Sequence, residues 1–198
     1  MKVVRVEVLV ARGRFSQSPQ WSTIQRELRT AVRAVVWPPG SRSFRIFPKK
    51  HGNGVKPIKE AFVSKLKQDF GWDDERKLRY QTRKTPGKID AVKALDDGLF
   101  AVEWETGNVS SSHRAINKIA LGIQRRQLVG GALIVPTSRL YPYLTDRVGN
   151  YDELEPYFDL WRSLECDSGV LAVLAVEHDR VSQDVPLIKK GTDGRALL

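Results

Sequence analysis

Apolar residues alternate with polar ones in some stretches of the chain and recur at helical spacing in others. Val4, Val6, Val8 and Val10 alternate along the N-terminal stretch, which predicts a strand. The next segment has a helical apolar stripe, with Ser22 as its expected N-cap and a stop at residues 38–40. A short strand, SFRIF at residues 43–47, and a second amphipathic helix over residues 58–70 follow.

After residue 75 the pattern turns strand-like and then alternates between strands and helices. Residues 76–85 have strand character, and the segments KIDAVKAL and LFAVEWE flank the turn DDG, which is typical of a hairpin. A helix is predicted over residues 110–128, a buried strand over 130–136, a helix over 151–164 and a strand over 169–179. This order predicts an α/β fold, one domain over residues 1–198, with a central mixed β-sheet flanked by helices.

The bulk composition restricts the class of protein. A chain of 198 residues is long enough for one substantial core. Its single cysteine, Cys166, excludes an internal disulfide and indicates a reducing cytoplasm. No apolar run approaches the ~20 residues of a membrane span, and the N-terminus lacks the pattern of a signal peptide. We therefore expect a cytoplasmic protein without a membrane segment.

The charge is distributed unevenly along the chain, whose formal net charge is +10. Residues 1–89 hold 21 Lys and Arg against 7 Asp and Glu, whereas residues 90–198 hold 12 against 16. A basic half beside an acidic half suggests a bound polyanion and a cation site. A solvated basic surface explains the same counts equally well, so charge alone does not decide for nucleic acid.

Two carboxylates stand in the predicted strand LFAVEWE. Alternate side chains of a strand share a face, so Glu103 and Glu105 point the same way and Trp104 points to the other. The hairpin returns Asp90 beside Glu103, which predicts three carboxylates close together. Such a group needs a cation, and hard oxygen ligands suit Mg²⁺. The alternative is that the two glutamates are edge-strand charges that discourage aggregation.

Mg²⁺ beside a basic surface is suited to phosphodiester hydrolysis, because the metal polarises a phosphate and activates water. In this interpretation Asp90 and Glu103 hold the metal, and the carbonyl of Trp104 completes the protein ligands. Glu105 orients or deprotonates the attacking water. A zinc site is not indicated, because one cysteine and three scattered histidines give no zinc spacing.

The stretch KID…FAVEWETGN resembles the catalytic core of the PD-(D/E)xK nucleases, specifically type II restriction endonucleases of the BglII–BstYI group. The similarity is strongest over residues 55–135. It implies a restriction-endonuclease-like fold and a Mg²⁺-dependent homodimer that cuts both strands of double-stranded DNA at a short palindromic site. Asp90 and Glu103 match the metal-binding acids. Glu105 takes the third motif position, where most of the superfamily has Lys, and Glu60 matches an auxiliary position of some relatives.

Basic and polar residues around this core are candidate DNA contacts. The helix after the carboxylate strand begins near the site, and Lys118 on it is a candidate for the cation missing from the third motif position. The predicted DNA-binding residues are Arg83, Lys84, Lys88, His113, Arg114, Asn117, Lys118, Lys189 and Lys190. Two alternatives stay open at this point: a relaxed-specificity or repair nuclease of the same fold, and a non-catalytic DNA-binding module.

Overall fold

The computed structural model describes residues 1–77 and 87–191. Eight strands and five α-helices follow one another along this part of the chain. The strands are β1 (Lys2–Arg12), β2 (Arg45–Ile46), β3 (Asp73–Lys77), β4 (Lys88–Leu95), β5 (Gly98–Trp104), β6 (Gly130–Pro136), β7 (Gly169–Glu177) and β8 (Arg180–Val181). The helices are α1 (Pro19–Ala34), α2 (Lys56–Phe70), α3 (Val109–Gln124), α4 (Tyr151–Leu154) and α5 (Phe158–Arg162).

Six strands form one sheet in the order β1-β7-β6-β5-β4-β3. The central strands β5, β6 and β7 are parallel, whereas β1, β4 and β3 pair antiparallel with their neighbours. The predicted mixed sheet is therefore confirmed. Because β5, β6 and β7 run in one direction, they end on the same side of the sheet, at Trp104, Pro136 and Glu177. We call this side the carboxyl edge.

Helices cover both faces of the sheet and bury two apolar layers. On one face, α1 and α2 bury Ile24, Leu28, Phe62 and Leu66 against alternate residues of β5, including Phe100 and Val102. On the other face, α3 buries Ile116, Ile119 and Ile123 against β5, β6 and β7. A fully buried side chain of this size stabilises the fold by about 2–3 kcal/mol, so this layering holds the central strands rigidly.

The β4–β5 hairpin brings the start of β4 to the carboxyl edge. Asp96 and Asp97 form its two-residue turn, and Gly98 follows with φ of 139°, a conformation that other residues rarely adopt. A Cβ atom on Gly98 would also lie 2.9 Å from Cγ1 of Val129. The sequence DDG therefore predicts the hairpin correctly for a physical reason, since only glycine fits its third position.

Three local predictions differ from the structure. The N-cap of α1 is Ser18 and not Ser22, because the Ser18 side chain accepts from the N–H of Trp21 while Pro19 occupies the first turn. The helix predicted over residues 151–164 is divided into α4, a 3₁₀ turn at Glu155–Tyr157 and α5, since Pro156 cannot donate to a continuous helix. The strand predicted over 43–47 is reduced to β2, which pairs with β8.

Within residues 1–77 and 87–191, no helix has the length and apolar character needed to cross a bilayer.

Candidate active site

Asp90 and Glu103 lie side by side at the carboxyl edge. Ala91 pairs with Val102 in the β4–β5 register, so Asp90 faces Glu103 one step further along the hairpin. The Asp90 carboxylate oxygen Oδ2 accepts a hydrogen bond of 2.9 Å from the N–H of Trp104. Two adjacent backbones and this hydrogen bond therefore fix the relative positions of the two acids.

Two lysines reach this pair from opposite faces of the sheet. Lys59 of α2 places Nζ 2.5 Å from Oδ1 of Asp90. Lys118 of α3 forms an ion pair with Glu103, and its Nζ also donates to the carbonyl of Lys88 at 2.6 Å. Each acid is thus paired with a cation, because a carboxylate that is withdrawn from water without a partner destabilises the fold.

Packing of the two helices explains how the lysines arrive there. Phe62, one turn after Lys59, is fully buried and lies 4.8 Å from the Trp104 ring, centroid to centroid. On α3, Lys118 adjoins the buried stripe that contains Ile119 and is only 6% exposed. The apolar contacts thus aim one ammonium group from each helix layer at the same point.

The electrostatic environment of Glu103 is strongly perturbed. Its side chain is 6% exposed, and burial together with the nearby Asp90 carboxylate raises its pKa from 4.5 to about 7. The Lys118 ammonium acts in the opposite sense without cancelling the effect. A bound cation would relieve the same repulsion, so the site is suited to hold one.

Glu105 lies just past the end of β5 and turns towards its own loop. Its Oε1 accepts from the N–H groups of Thr106 at 2.9 Å and Gly107 at 2.5 Å. Burial raises the pKa of Glu105, and these two hydrogen bonds oppose the rise. A Cβ atom on Gly107 would come within 2.9 Å of the same carboxylate oxygen. The glycine therefore leaves room for this arrangement.

The predicted cluster of three carboxylates needs correction. Over residues 1–77 and 87–191, no three Asp, Glu, His or Cys side chains form a group able to hold one ion. The physical reason is that the Glu105 carboxylate accepts from its own loop, so Asp90 and Glu103 form the close pair, while Glu105 stays beside them in the lining of the same cavity.

A pair of carboxylates still fits Mg²⁺, which commonly binds proteins through one or two carboxylates and keeps several waters. Asp90 and Glu103 offer hard oxygen atoms whose mutual repulsion a cation would relieve. The N–H of Trp104 points at Asp90, and in a strand the carbonyl of a residue points to the same side as its N–H. The carbonyl predicted as a third ligand is therefore directed towards the pair.

An open cavity of about 500 Å³ lies over Glu103 and Glu105. Lys88, Ser111, Arg114 and Lys118 supply basic and polar groups around the carboxylates, and Gly87 and Ala115 complete the lining. The α3 residues among them lie one turn apart, and Arg114 donates to the Ser111 hydroxyl at 3.3 Å. This combination suits an anionic group that must approach buried acids.

Two residues of α3 that were predicted to contact DNA, His113 and Asn117, lie away from this cavity. His113 meets the Tyr157 ring edge to face at 4.5 Å, and burial lowers its pKa. Asn117 accepts a hydrogen bond of 2.8 Å from Nε1 of Trp161. Their helical phase directs both residues towards the segment around α5, whereas Arg114 faces the cavity.

The remaining predicted residues have mixed outcomes. Glu60 is 61% exposed, and its carboxylate faces Lys56 at 3.8 Å. Arg83 and Lys84 lie outside the described residues. Lys189 is exposed and Lys190 half-buried, in a segment that packs against the loop before α2.

Sequence reasoning missed Lys59, although it singled out the neighbouring Glu60. Lys59 adjoins Ile58 and precedes Phe62 by one turn, so its helical phase places it at the border of the buried stripe. That position was the available signal, because a lysine at such a border extends along the apolar surface towards the sheet.

Comparison with known proteins identifies the family. The family model of the restriction endonuclease BamHI matches residues 1–195. The chain belongs to the BamHI family of restriction endonucleases. The predicted type II restriction endonuclease, a site-specific deoxyribonuclease, is thereby confirmed, and the alternative of a non-catalytic binding module is not supported.

Two type II restriction enzymes agree with this result, and one solved structure shares the fold. The chain is 49% identical over 197 residues to the type II restriction enzyme OkrAI of Oceanobacter kriegii, which covers 100% of both chains. It is 35% identical over 175 residues to the type II restriction enzyme BamHI of Bacillus amyloliquefaciens, covering 85% of this chain and 80% of that one. The restriction endonuclease BglII, solved with a DNA 16-mer, shares the fold, with a TM-score of 0.58 at 9% identity over 89% of this chain and 79% of that one.

Proposed function

We propose that this enzyme cuts double-stranded DNA at a short palindromic site, as a homodimer and with Mg²⁺ as its cofactor. The observation that carries the proposal is the Asp90–Glu103 pair, held at the carboxyl edge between Lys59 and Lys118. A close pair of carboxylates beside a basic cavity is suited to metal-assisted phosphodiester hydrolysis, because the acids can hold the metal and the basic groups can hold the phosphate.

In this mechanism Asp90, Glu103 and the Trp104 carbonyl would hold the metal. When bound, Mg²⁺ would polarise the scissile phosphate and lower the pKa of a water. Glu105 accepts the proton of the attacking water, since burial raises its pKa above that of a free glutamate. Lys118 stays beside Glu103, in the region where the negative charge of the transition state develops.

DNA binding is assigned to the basic groups around the cavity. Arg114, Lys88 and Lys118 line it, and there they would face the anionic backbone of bound DNA. Arg83, Lys84, Lys189 and Lys190 are proposed to extend this surface. His113 and Asn117 fit the role less well, because they contact the aromatic residues around α5. Glu60 keeps only an auxiliary role, as an exposed acid one residue from Lys59.

The geometry of a double-strand cut supports the proposed homodimer. One chain presents one Asp90–Glu103 pair, whereas two strands offer two scissile phosphates of opposite polarity. Two copies related by a two-fold axis place one pair at each phosphate and read a palindromic sequence. Sedimentation of the enzyme with and without DNA measures this directly, and a purely monomeric species on cut DNA would contradict it.

The role of the acid pair is tested by Glu103→Gln, with Glu165→Gln as the matched control. Glu165 is exposed and lies at the opposite edge of the sheet. We expect Glu103→Gln to bind DNA and to lower the single-turnover cleavage rate by about 10²–10³-fold. The control should cut at the wild-type rate. Wild-type cleavage by Glu103→Gln would remove the assignment.

The cytoplasmic location indicated by the single cysteine stays a prediction.

A further inference from the structure

Asn53 is a fully buried amide outside the acid pair. Its Nδ2 donates two hydrogen bonds of 2.9 Å, one to the carbonyl of Phe47 and one to that of Tyr143. Its Oδ1 accepts from the N–H of Ile188 at 3.2 Å. The side chain is 0% exposed, so a single residue satisfies three backbone groups from three segments.

Two of these segments leave the carboxyl edge. The segment of Tyr143 follows β6, and the segment of Ile188 follows β7 and β8. The third is the loop before α2, which contains Asn53 itself. That helix begins at Lys56 and carries Lys59 to Asp90. Asn53 therefore ties the two loops to the base of a helix that enters the active site.

The backbone around Asn53 makes the same connection tighter. Its N–H donates to the carbonyl of Tyr143 at 3.0 Å, and the N–H of Gly54 donates to the carbonyl of Ile188 at 2.9 Å. A Cβ atom on Gly54 would lie 2.0 Å from the carbonyl oxygen of Lys189. The chain at residues 188–190 is therefore held in direct contact with the loop before α2.

The tied segments carry exposed cations. Lys49 and Lys50 are exposed in the loop before α2, and Lys189 is exposed in the segment after β8. We propose that Asn53 is a positioning residue for DNA binding: it fixes Lys189 and Lys190 on the side of the sheet where Asp90 and Glu103 lie, so that they hold the DNA backbone beside the acids. This inference rests on the proposed function, since it needs DNA as the ligand.

Asn53→Asp perturbs this connection with almost no change of shape. An aspartate oxygen replaces Nδ2, so two carbonyl oxygens that accepted hydrogen bonds now face an acceptor. The contact with the Ile188 N–H survives, as does the backbone hydrogen bond from residue 53 to Tyr143, but both side-chain hydrogen bonds donated by Nδ2 are lost. The loop on which residues 188–190 rest is then held less firmly to Phe47 and Tyr143, so the variant should present these residues less rigidly relative to the acids.

The decisive experiment is a double-mutant cycle between Asn53→Asp and the pair Lys189→Gln/Lys190→Gln. Affinity is measured without divalent metal over a range of salt concentrations, on a DNA fragment that the wild type cuts once. Losing two phosphate contacts should weaken binding roughly tenfold and reduce the salt slope by about 1.8. Asn53→Asp alone should cause a similar loss. In the Lys189→Gln/Lys190→Gln background it should weaken binding by less than about twofold.

Equal losses by Asn53→Asp in both backgrounds would overturn the inference, because a merely structural role is additive. Wild-type binding by Lys189→Gln/Lys190→Gln would overturn it too, while cleavage by the wild type would leave the proposed function intact. Gly54→Ala provides a second route, since its Cβ displaces residue 189 without an unpaired polar group, and it should show the same non-additivity. Ile123→Ala, a buried residue at the far end of α3, controls for lost stability and should keep the wild-type salt slope.

Discussion

Lys118→Met separates the ammonium group from the packing of its side chain. Methionine keeps an apolar stem of similar length against α3 and β5, but removes the cation beside Glu103. It also removes the 2.6 Å hydrogen bond to the carbonyl of Lys88. In the metal-free protein, Glu103 would then be buried without this cation and would respond by holding its proton to higher pH.

The loss in free energy of unfolding caused by Lys118→Met should increase as the pH rises. In the wild type the pKa of Glu103 rises from 4.5 to about 7, so the native state loses stability between these pH values and no more above 7. In the variant, Glu103 stays protonated above pH 7 while the unfolded chain ionises. The variant therefore loses a further ~1.4 kcal/mol per pH unit. At pH 6 only the lost hydrogen bond to Lys88 contributes to the difference in free energy of unfolding, by about 1 kcal/mol.

The assay is urea unfolding of wild type and variant in EDTA from pH 6 to pH 9. The difference in free energy of unfolding should grow from about 1 to roughly 4 kcal/mol, which is within the range for breaking a buried ion pair. The same substitution in a Glu103→Gln background should show no growth with pH. A difference that is independent of pH in the Glu103 protein would refute the reasoning.

Three further predictions concern the other lysines and the metal. Lys93→Met removes the ammonium 2.5 Å from the buried Glu27 carboxylate, and should lower the free energy of unfolding by about 3–5 kcal/mol in urea titrations while metal binding stays unchanged. Mg²⁺ binding should release a proton at pH 6 but not at pH 8, because the pKa of Glu103 is about 7, and calorimetry in buffers of different ionisation heat measures this. Lys59→Met should tighten DNA-free Mg²⁺ binding roughly tenfold, since its ammonium competes for Asp90; weaker binding would contradict that competition.

Much of the sheet could be predicted because its signals are local. The turn DDG with Gly98, the apolar run of β6, the apolar run of β7 before Glu177, and the αL glycine at Gly71 each specify conformation within a few residues. The pairing of Asp90 with Glu103 follows from the same hairpin register. These elements needed no knowledge of distant contacts.

The errors occurred where a signal depends on neighbours. Ser18 and Ser22 are both credible caps, and only the first is followed by Pro19. Alternation placed Glu105 on the same strand face as Glu103, but it gave no sign that the N–H groups of Thr106 and Gly107 would bind its carboxylate. The alternation of side chains along a strand does not indicate where the strand ends.

Contacts between the helices, the loops and the sheet could not be predicted from the sequence. Lys59 and Glu60 are adjacent acid–base candidates on one helix, and the choice between them depends on how Phe62 seats α2 against Trp104. Asn53 gave no sequence signal either, since its three partners are 6, 90 and 135 residues away along the chain. Such contacts are set by the packing of whole elements.

The measurement that tests the central claim most directly is digestion of a long, sequenced, unmethylated DNA by wild type and Glu103→Gln, with and without Mg²⁺. We predict discrete bands from the wild type with Mg²⁺ only, whose sequenced ends share one palindromic site, and intact DNA from the variant. A metal-dependent smear would indicate a nuclease of relaxed specificity. Discrete bands without any divalent metal, or equal cutting by Glu103→Gln, would contradict the account.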